Sequence, residues 1–343
     1  MAMYALRKPL KAATYQSADY GLVPDAQVKL DPALADPVLD AALAACRIND
    51  WKPAREALTA AGKDWDRRGV YVQAFGEVAA VAPKWVDYWR TAEPSSPDAA
   101  VVFAQSLVVK AWNARGGRYA SSTTRDQFQR FHEILKTGAD EAMKAADKAP
   151  EDPTPWMTMV TAARGLQLSN SAFERVWQEL LIRDSLNRRA HIQALQYWQP
   201  KWSGSREQAK TFVEDTATRA PHSAVAFQLR LGDQLEIWLP RSRAVAQARH
   251  FRRGSGQEVL RKALDDYWDG TVPTGGGQAA LDANWLAWAL TLANRWDDAC
   301  TVWRSLGGCL ANVSPWIYMP NQALAFTGLR REAFVMSSQK PGA

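Results

Sequence analysis

The chain has 343 residues, 47% of them apolar and 23% charged, with only 20 Gly and 18 Pro. That composition excludes a disordered or collagen-like chain and fits a soluble globular protein. Its 42 Lys and Arg against 36 Asp and Glu leave a net charge of +6, mildly basic and mostly dispersed along the chain. The unusual count is 16 Trp. Cys46, Cys300 and Cys309 are too few and unevenly spaced for a disulfide framework or a zinc site, and read as small apolar residues in a reducing, cytoplasmic setting.

In chain order, Met1–Lys8 lacks the apolar core of a signal peptide, and no 18-residue apolar window follows it, so no membrane association is expected. Residues 1–36, with Pro24 and Pro32, read as an irregular N-terminal segment. From Pro37 the pattern becomes helical. Val38, Leu39, Ala42, Leu43 and Cys46 mark one face, Asn49–Pro53 a turn, and Ala54, Leu58 and Ala61 the next helix. Ser96-Pro97 reads as an N-cap followed by the first helical residue, and Thr124 with Gln127 as a capping box. Between them, residues 116–122 read as a loop.

Pro97, Pro150 and Pro221 each lie six residues before an aromatic, Phe103, Trp156 and Phe227. That is the junction spacing of tetratricopeptide (TPR) repeats, whose unit is about 34 residues. Ala54…Leu58, Ala172…Val176 and Ala299…Trp303 take the Ala-x3-large positions of the partner helix. The turns Asn49-x-Trp51-x-x-Ala54 and Asn294-x-Trp296-x-x-Ala299 are near copies at opposite ends of the chain. The expected fold is an all-α, TPR-like α-solenoid of degenerate helical hairpins over 37–334, with a flexible tail over 335–343.

Three groups could carry chemistry. His191, Tyr197, Trp198, Lys201, Trp202 and Ser205 crowd an imidazole, an ammonium, aromatics and a hydroxyl around one turn. Tyr197, Trp198, Lys201, Trp202 and Ser205 are the candidate ligand-binding residues. His191 and Lys201 are the candidates for general acid/base chemistry there. A structural reading competes: Pro200 ends one helix, Ser205 caps the next with Gln208 as its box partner, and the tryptophans fill core.

Arg241 to Arg253 is the one dense basic run. Arg249, Arg252, Arg253 and Ser255, before a helix expected from Gln257, form a candidate anion site. A solvated basic helix face is the bland alternative. Asp265-Asp266-x-x-Asp269 resembles the metal-binding motif of terpene synthases, but Gly270 follows at once and no second metal motif is present, so a solvated helix end is expected. Gly275-Gly276-Gly277 reads as a loop, followed by Gln278 rather than the Lys of a phosphate-binding loop. No metal site and no cofactor are implied.

Ala111-Trp112-x-Ala114-Arg115-Gly116, Pro150-x-Asp152-Pro153-x-Pro155-Trp156 and Ala163-Arg164-Gly165-Leu166 form one set of motifs. Ala190-His191 with Leu195, then Lys201-Trp202-x-Gly204-Ser205, form a second. Together they resemble a set of actinobacterial helical-repeat proteins, some grouped under a DUF4034-like domain of unknown function, over about residues 100–235. The resemblance implies a TPR-like fold and no settled activity. The leading expectation is a binding scaffold that presents a groove to a protein or peptide partner. The alternative is a small-molecule binder or enzyme with an aromatic pocket around His191, Lys201 and Trp202. A nucleic-acid partner would have to use Arg241–Arg253.

Overall fold

The computed structural model describes residues 9–31, 36–116, 124–238, 251–268, 277–311, 316, 319 and 321–340. Helices make up nearly all the regular structure among them. One parallel pair of short strands breaks the pattern, β1 (Lys29–Asp31) against β2 (Cys309–Ala311), with Leu30 opposite Leu310. The expected all-α class is the class observed. Backbone contacts divide the chain into two compact units, Pro37–Thr216 and the combination of Met1–Asp36 with Ala217–Ala343. The N-terminal segment 1–36 therefore belongs to the second unit instead of standing apart.

In the first unit, α2 (Pro37–Arg47) pairs with α3 (Lys52–Ala61), and α4 (Trp65–Val81) is followed by α5 (Lys84–Ala92). Next, α6 (Pro97–Arg115) pairs with α7 (Arg125–Lys148), and α8 (Thr154–Gly165) with α9 (Asn170–Arg183). Then α10 (Arg188–Tyr197) leads into α11 (Arg206–Arg219), within which the unit boundary falls. The first helix of each pair packs on the first helix of the next, from α2 through α4, α6 and α8 to α10.

Local chemistry sets these boundaries. The Ser96 hydroxyl accepts from Ala99 N–H, and Thr124 and Gln127 close the reciprocal box expected of them. Ser169 and Asn187 cap α9 and α10 in the same way. Each such cap is worth about 1 kcal/mol. The near-copy turns share one geometry. Asn49 and Asn294 take positive φ, 65° and 63°, and so does Gln167, at 52°, between α8 and α9. In each, the following N–H reaches back five residues: Asp50 to Ala45 O, Leu168 to Ala163 O, Arg295 to Leu290 O. This is the Schellman ending of a helix. It recurs in front of all three Ala-x3-large helices.

A buried cation ties the first unit together. Arg68 on α4 donates to Asp152 Oδ2 from Nε (2.9 Å) and Nη2 (2.7 Å), to Asp98, and to the Leu58 carbonyl. Burial works against its charge, but the two carboxylates outweigh that and raise its pKa. Asp152 Oδ1 meanwhile accepts from the N–H and hydroxyl of Thr154, which starts α8. One guanidinium thus holds the end of α3 and the starts of α6 and α8.

The second unit holds α1 (Pro9–Ala13), α12 (Ala224–Trp238), α13 (Gly254–Lys262), α14 (Gly277–Leu292), α15 (Trp296–Leu306) and α16 (Gln322–Met336). Tyr15, Tyr20, Leu22 and Val28 share one core with Trp288, Trp303, Trp316, Phe326 and Phe334. Arg330, fully buried on α16, donates to Val23 O (2.8 Å) and Gly307 O (3.3 Å) and pairs with Asp25 at 2.5 Å. The expected tail is also anchored as far as residue 339. Lys11 donates to Ser337 O and Gln339 O, and Asp297 accepts from Ser338. The ammonium and carboxylate give those backbone groups partners that a frayed end lacks. Among the described residues no helix is long and apolar enough to cross a membrane.

Candidate functional site

The turn after α10 was the most chemistry-rich stretch of sequence, and the structure distributes its residues among three environments. His191 is completely buried. Its Nδ1 lies 2.7 Å from Asn187 O, so that nitrogen carries the hydrogen. Its ring packs edge-on to Trp177 at 4.7 Å and beside Phe212 at 5.9 Å. This is a core histidine joining α9, α10 and α11. Tyr197 is also buried, stacked on Phe173 at 3.7 Å, with its hydroxyl 2.7 Å from Leu168 O and 2.9 Å from Asn170 Oδ1. Burial raises its pKa. Trp198 stands perpendicular to both rings, 5.0 Å from Tyr197 and 5.5 Å from Phe173.

Trp202 goes elsewhere. Trp202 N–H donates to Gln199 O, and Ser203 N–H to Tyr197 O. Gly204 passes so close to Trp198 that an added Cβ would sit 2.1 Å from its carbonyl oxygen. Ser205 accepts from Gln208 N–H at 3.1 Å and starts α11. This tight turn leaves Lys201 exposed and sets the Trp202 ring edge-on to Trp112, 5.5 Å away near the end of α6. Two guanidinium groups join the indoles. Arg164, in the last turn of α8, lies 4.2 Å from the Trp112 ring and 4.9 Å from Trp202. Arg115, the last residue of α6, lies 5.6 and 5.3 Å from the same two rings. Phe131 of α7 closes the cluster, 5.0 Å from Trp112.

Close helix packing makes the cluster possible. At Gly165 an added Cβ would fall 2.5 Å from Leu135 and 2.8 Å from Phe131. The missing side chain lets the end of α8, carrying Arg164, approach α7. All four principal residues are half-buried. Cation–π contacts of this kind contribute about 0.5–2 kcal/mol each, more where water is excluded.

Of the residues singled out around this turn, the structure brings only Trp202 to the cluster. Trp112, Arg115 and Arg164 were not among the candidate site residues. They do sit within Ala111–Gly116 and Ala163–Leu166, and with Lys201–Ser205 these motifs converge here from three parts of the chain.

The second candidate group is placed only in part. Arg249 lies outside the described residues, as does most of Arg241–Arg253. Arg252 donates from Nε to Leu292 O at 3.0 Å, capping the end of α14. Arg253 is exposed at the N-cap of α13, and Ser255 belongs to that helix's first turn. The helix starts at Gly254, three residues before the expected Gln257, because the extended backbone of Arg253 already turns into it. Asp265 pairs with Arg261 at 2.8 Å in a π-helical turn, Ala263–Tyr267, that ends the helix; Asp269 lies outside the described residues. Among the described residues no group of three His, Cys, Asp or Glu could hold a metal.

No family model, no curated protein and no solved structure matches the chain.

Proposed function

We propose that the chain is a TPR-like helical-repeat scaffold that binds a protein or peptide partner. The observation that carries this reading is the serial packing of α2, α4, α6, α8 and α10, each followed by a partner helix. Stacks of this kind contact only their neighbours and leave a long side surface for a partner. The three Schellman turns give their hairpins the same local connection. The separation of His191 from Lys201 and Trp202 speaks for the scaffold over an acid/base pocket. A general base must reach its substrate's proton, and His191 is sealed in aromatic core.

The test places a photo-crosslinking residue at Ile192 on α10 and, separately, at Ile182 on α9, both exposed. The scaffold reading expects one defined polypeptide crosslinked from one of these faces and not the other. Recovery of a stoichiometric metabolite with no polypeptide from either face would overturn it.

A further inference from the structure

We infer that the indole of Trp65 and the carboxylate of Glu151 form a docking point for an arginine side chain of the protein or peptide partner proposed above, on which reading this inference rests. Both residues line a cavity of about 330 Å³ beside the end of α3, the start of α4 and the loop from α7 to α8. The cavity is wide-mouthed, and its size suits one inserted side chain better than an enclosed metabolite. Trp65 is half-buried in its wall next to Pro150. Other tryptophans of residues 37–216 meet an aromatic ring or a guanidinium: Trp85 meets Phe75, Trp177 meets Phe173, and Trp156 meets Arg183. At Trp51, Trp112 and Trp202, half-buried like Trp65, a guanidinium lies over the ring. Among the described residues Trp65 has neither kind of partner.

The electrostatics of the cavity favour a cation, although the chain as a whole is basic. Arg68 in the cavity wall is outnumbered by Asp98 and Asp152, so that group keeps one net negative charge. Glu151 adds a further carboxylate, 79% exposed and paired with the equally exposed Lys63 at 2.8 Å. An exposed pair of this kind is worth little and exchanges for another cation at small cost. The ends of α3 and α7, capped at Gly62 and Ala149 in the cavity wall, contribute the partial negative charge of helix C-termini. The last turn of α3 has no basic residue, and Lys148 at the end of α7 donates to Pro94 O instead. The starts of α4 and α8 carry the opposite sign, but they already face the carboxylates of Asp64 and Asp152. Arg67 is engaged with the Tyr71 hydroxyl at 2.9 Å. An arginine answers this arrangement best: its planar face stacks on an indole while its N–H edge reaches a carboxylate.

The full chain labelled with 15N-tryptophan is titrated with the acetylated pentapeptide amide Ala-Ala-Arg-Ala-Ala and, separately, with its citrulline counterpart, which keeps the shape and loses the charge. The indole N–H signal of Trp65, identified by its loss in Trp65→Phe, is expected to move saturably with the arginine peptide and to stay in place with the citrulline one. Glu151→Gln, at an exposed position, should raise the midpoint about threefold. Lys63→Ala, which frees Glu151, should lower it by a similar factor, a change of opposite sign that a merely structural role would not produce. The site is refuted if the arginine peptide gives no saturable shift, if the citrulline peptide moves the signal equally, or if Glu151→Gln binds with an unchanged midpoint. A crosslinked polypeptide without the arginine-dependent shift would sink this site and leave the scaffold standing. The shift without any crosslinked polypeptide would do the reverse.

Discussion

The two units reach stability by opposite routes. Residues 37–216 are contiguous in sequence, and their helices pack mainly on others one or two elements away. The other unit closes over distance: β1 pairs with β2, and Arg330 holds Val23 and Asp25. Both bury an arginine, but in different company. Arg68 meets two carboxylates that are themselves largely buried, at 6% and 16% side-chain exposure, whereas the Asp25 partner of Arg330 is 49% exposed. The first cation compensates buried charge; the second chiefly satisfies carbonyls. A serial stack needs local caps and one internal knot, while a closed unit needs its two ends fastened together.

Replacing Arg68 should have the largest effect. Arg68→Leu leaves Asp152 and Asp98 without their counter-charge, and about 3–5 kcal/mol of stability should be lost. Hydrogen exchange should show that loss within 37–216 and much less elsewhere. Equal loss in both units would break the comparison.

Arg330→Met should cost about 2–3 kcal/mol, from carbonyls left without donors and a half-exposed carboxylate left to water. The protease sensitivity of residues 9–31 should rise first, since their tie to α16 is gone. Unchanged digestion there would show that the tyrosine contacts alone hold the segment.

Gly204→Ala should cost about 1–3 kcal/mol, because the Cβ meets backbone rather than a flexible side chain. Trp202 should be displaced with the turn, so a cluster-specific readout should change more than global stability does. Thr124→Ala should be the mildest, about 1 kcal/mol of local fraying at the start of α7, measured by exchange of the first-turn amides.

A pH scan tests the burial of the N-terminal tyrosines. Tyr15, in the closed unit, has its pKa raised by burial from 10.0 to about 12. The folded state therefore prefers the neutral phenol, and stability present below pH 10 is lost as pH rises toward 12. Tyr15→Phe should lessen that alkaline slope without abolishing it, because burial also raises the pKa values of Tyr20, Cys300, Cys46 and Tyr197; an unchanged slope would place its origin in those groups.

The hairpins were legible in the sequence because their signals are local. Ser96-Pro97, Thr124 with Gln127, and the paired Asn turns act within one helical turn of themselves. The role of the N-terminal segment was not legible. Nothing in Leu30 announces pairing with Leu310, and nothing in Val23 announces Arg330. The candidate site was legible in fragments. Trp202 stood out because no periodicity explained it. Arg115 and Arg164 looked like ordinary basic residues in a last helical turn, and only the packing permitted by Gly165 brings them to the same indoles. Trp198 stood out equally, but it fills the space beside Phe173 and Tyr197.

The central claim is that the segments around Trp112, Arg164 and Trp202 meet at one place. Nuclear Overhauser contacts in the full chain, with Trp112 and Trp202 assigned by single Phe substitutions, test it most directly. With ring centres 5.5 Å apart, the account predicts cross-peaks between the two indoles, lost in either variant. Two well-resolved indoles with no cross-peak between them would contradict it.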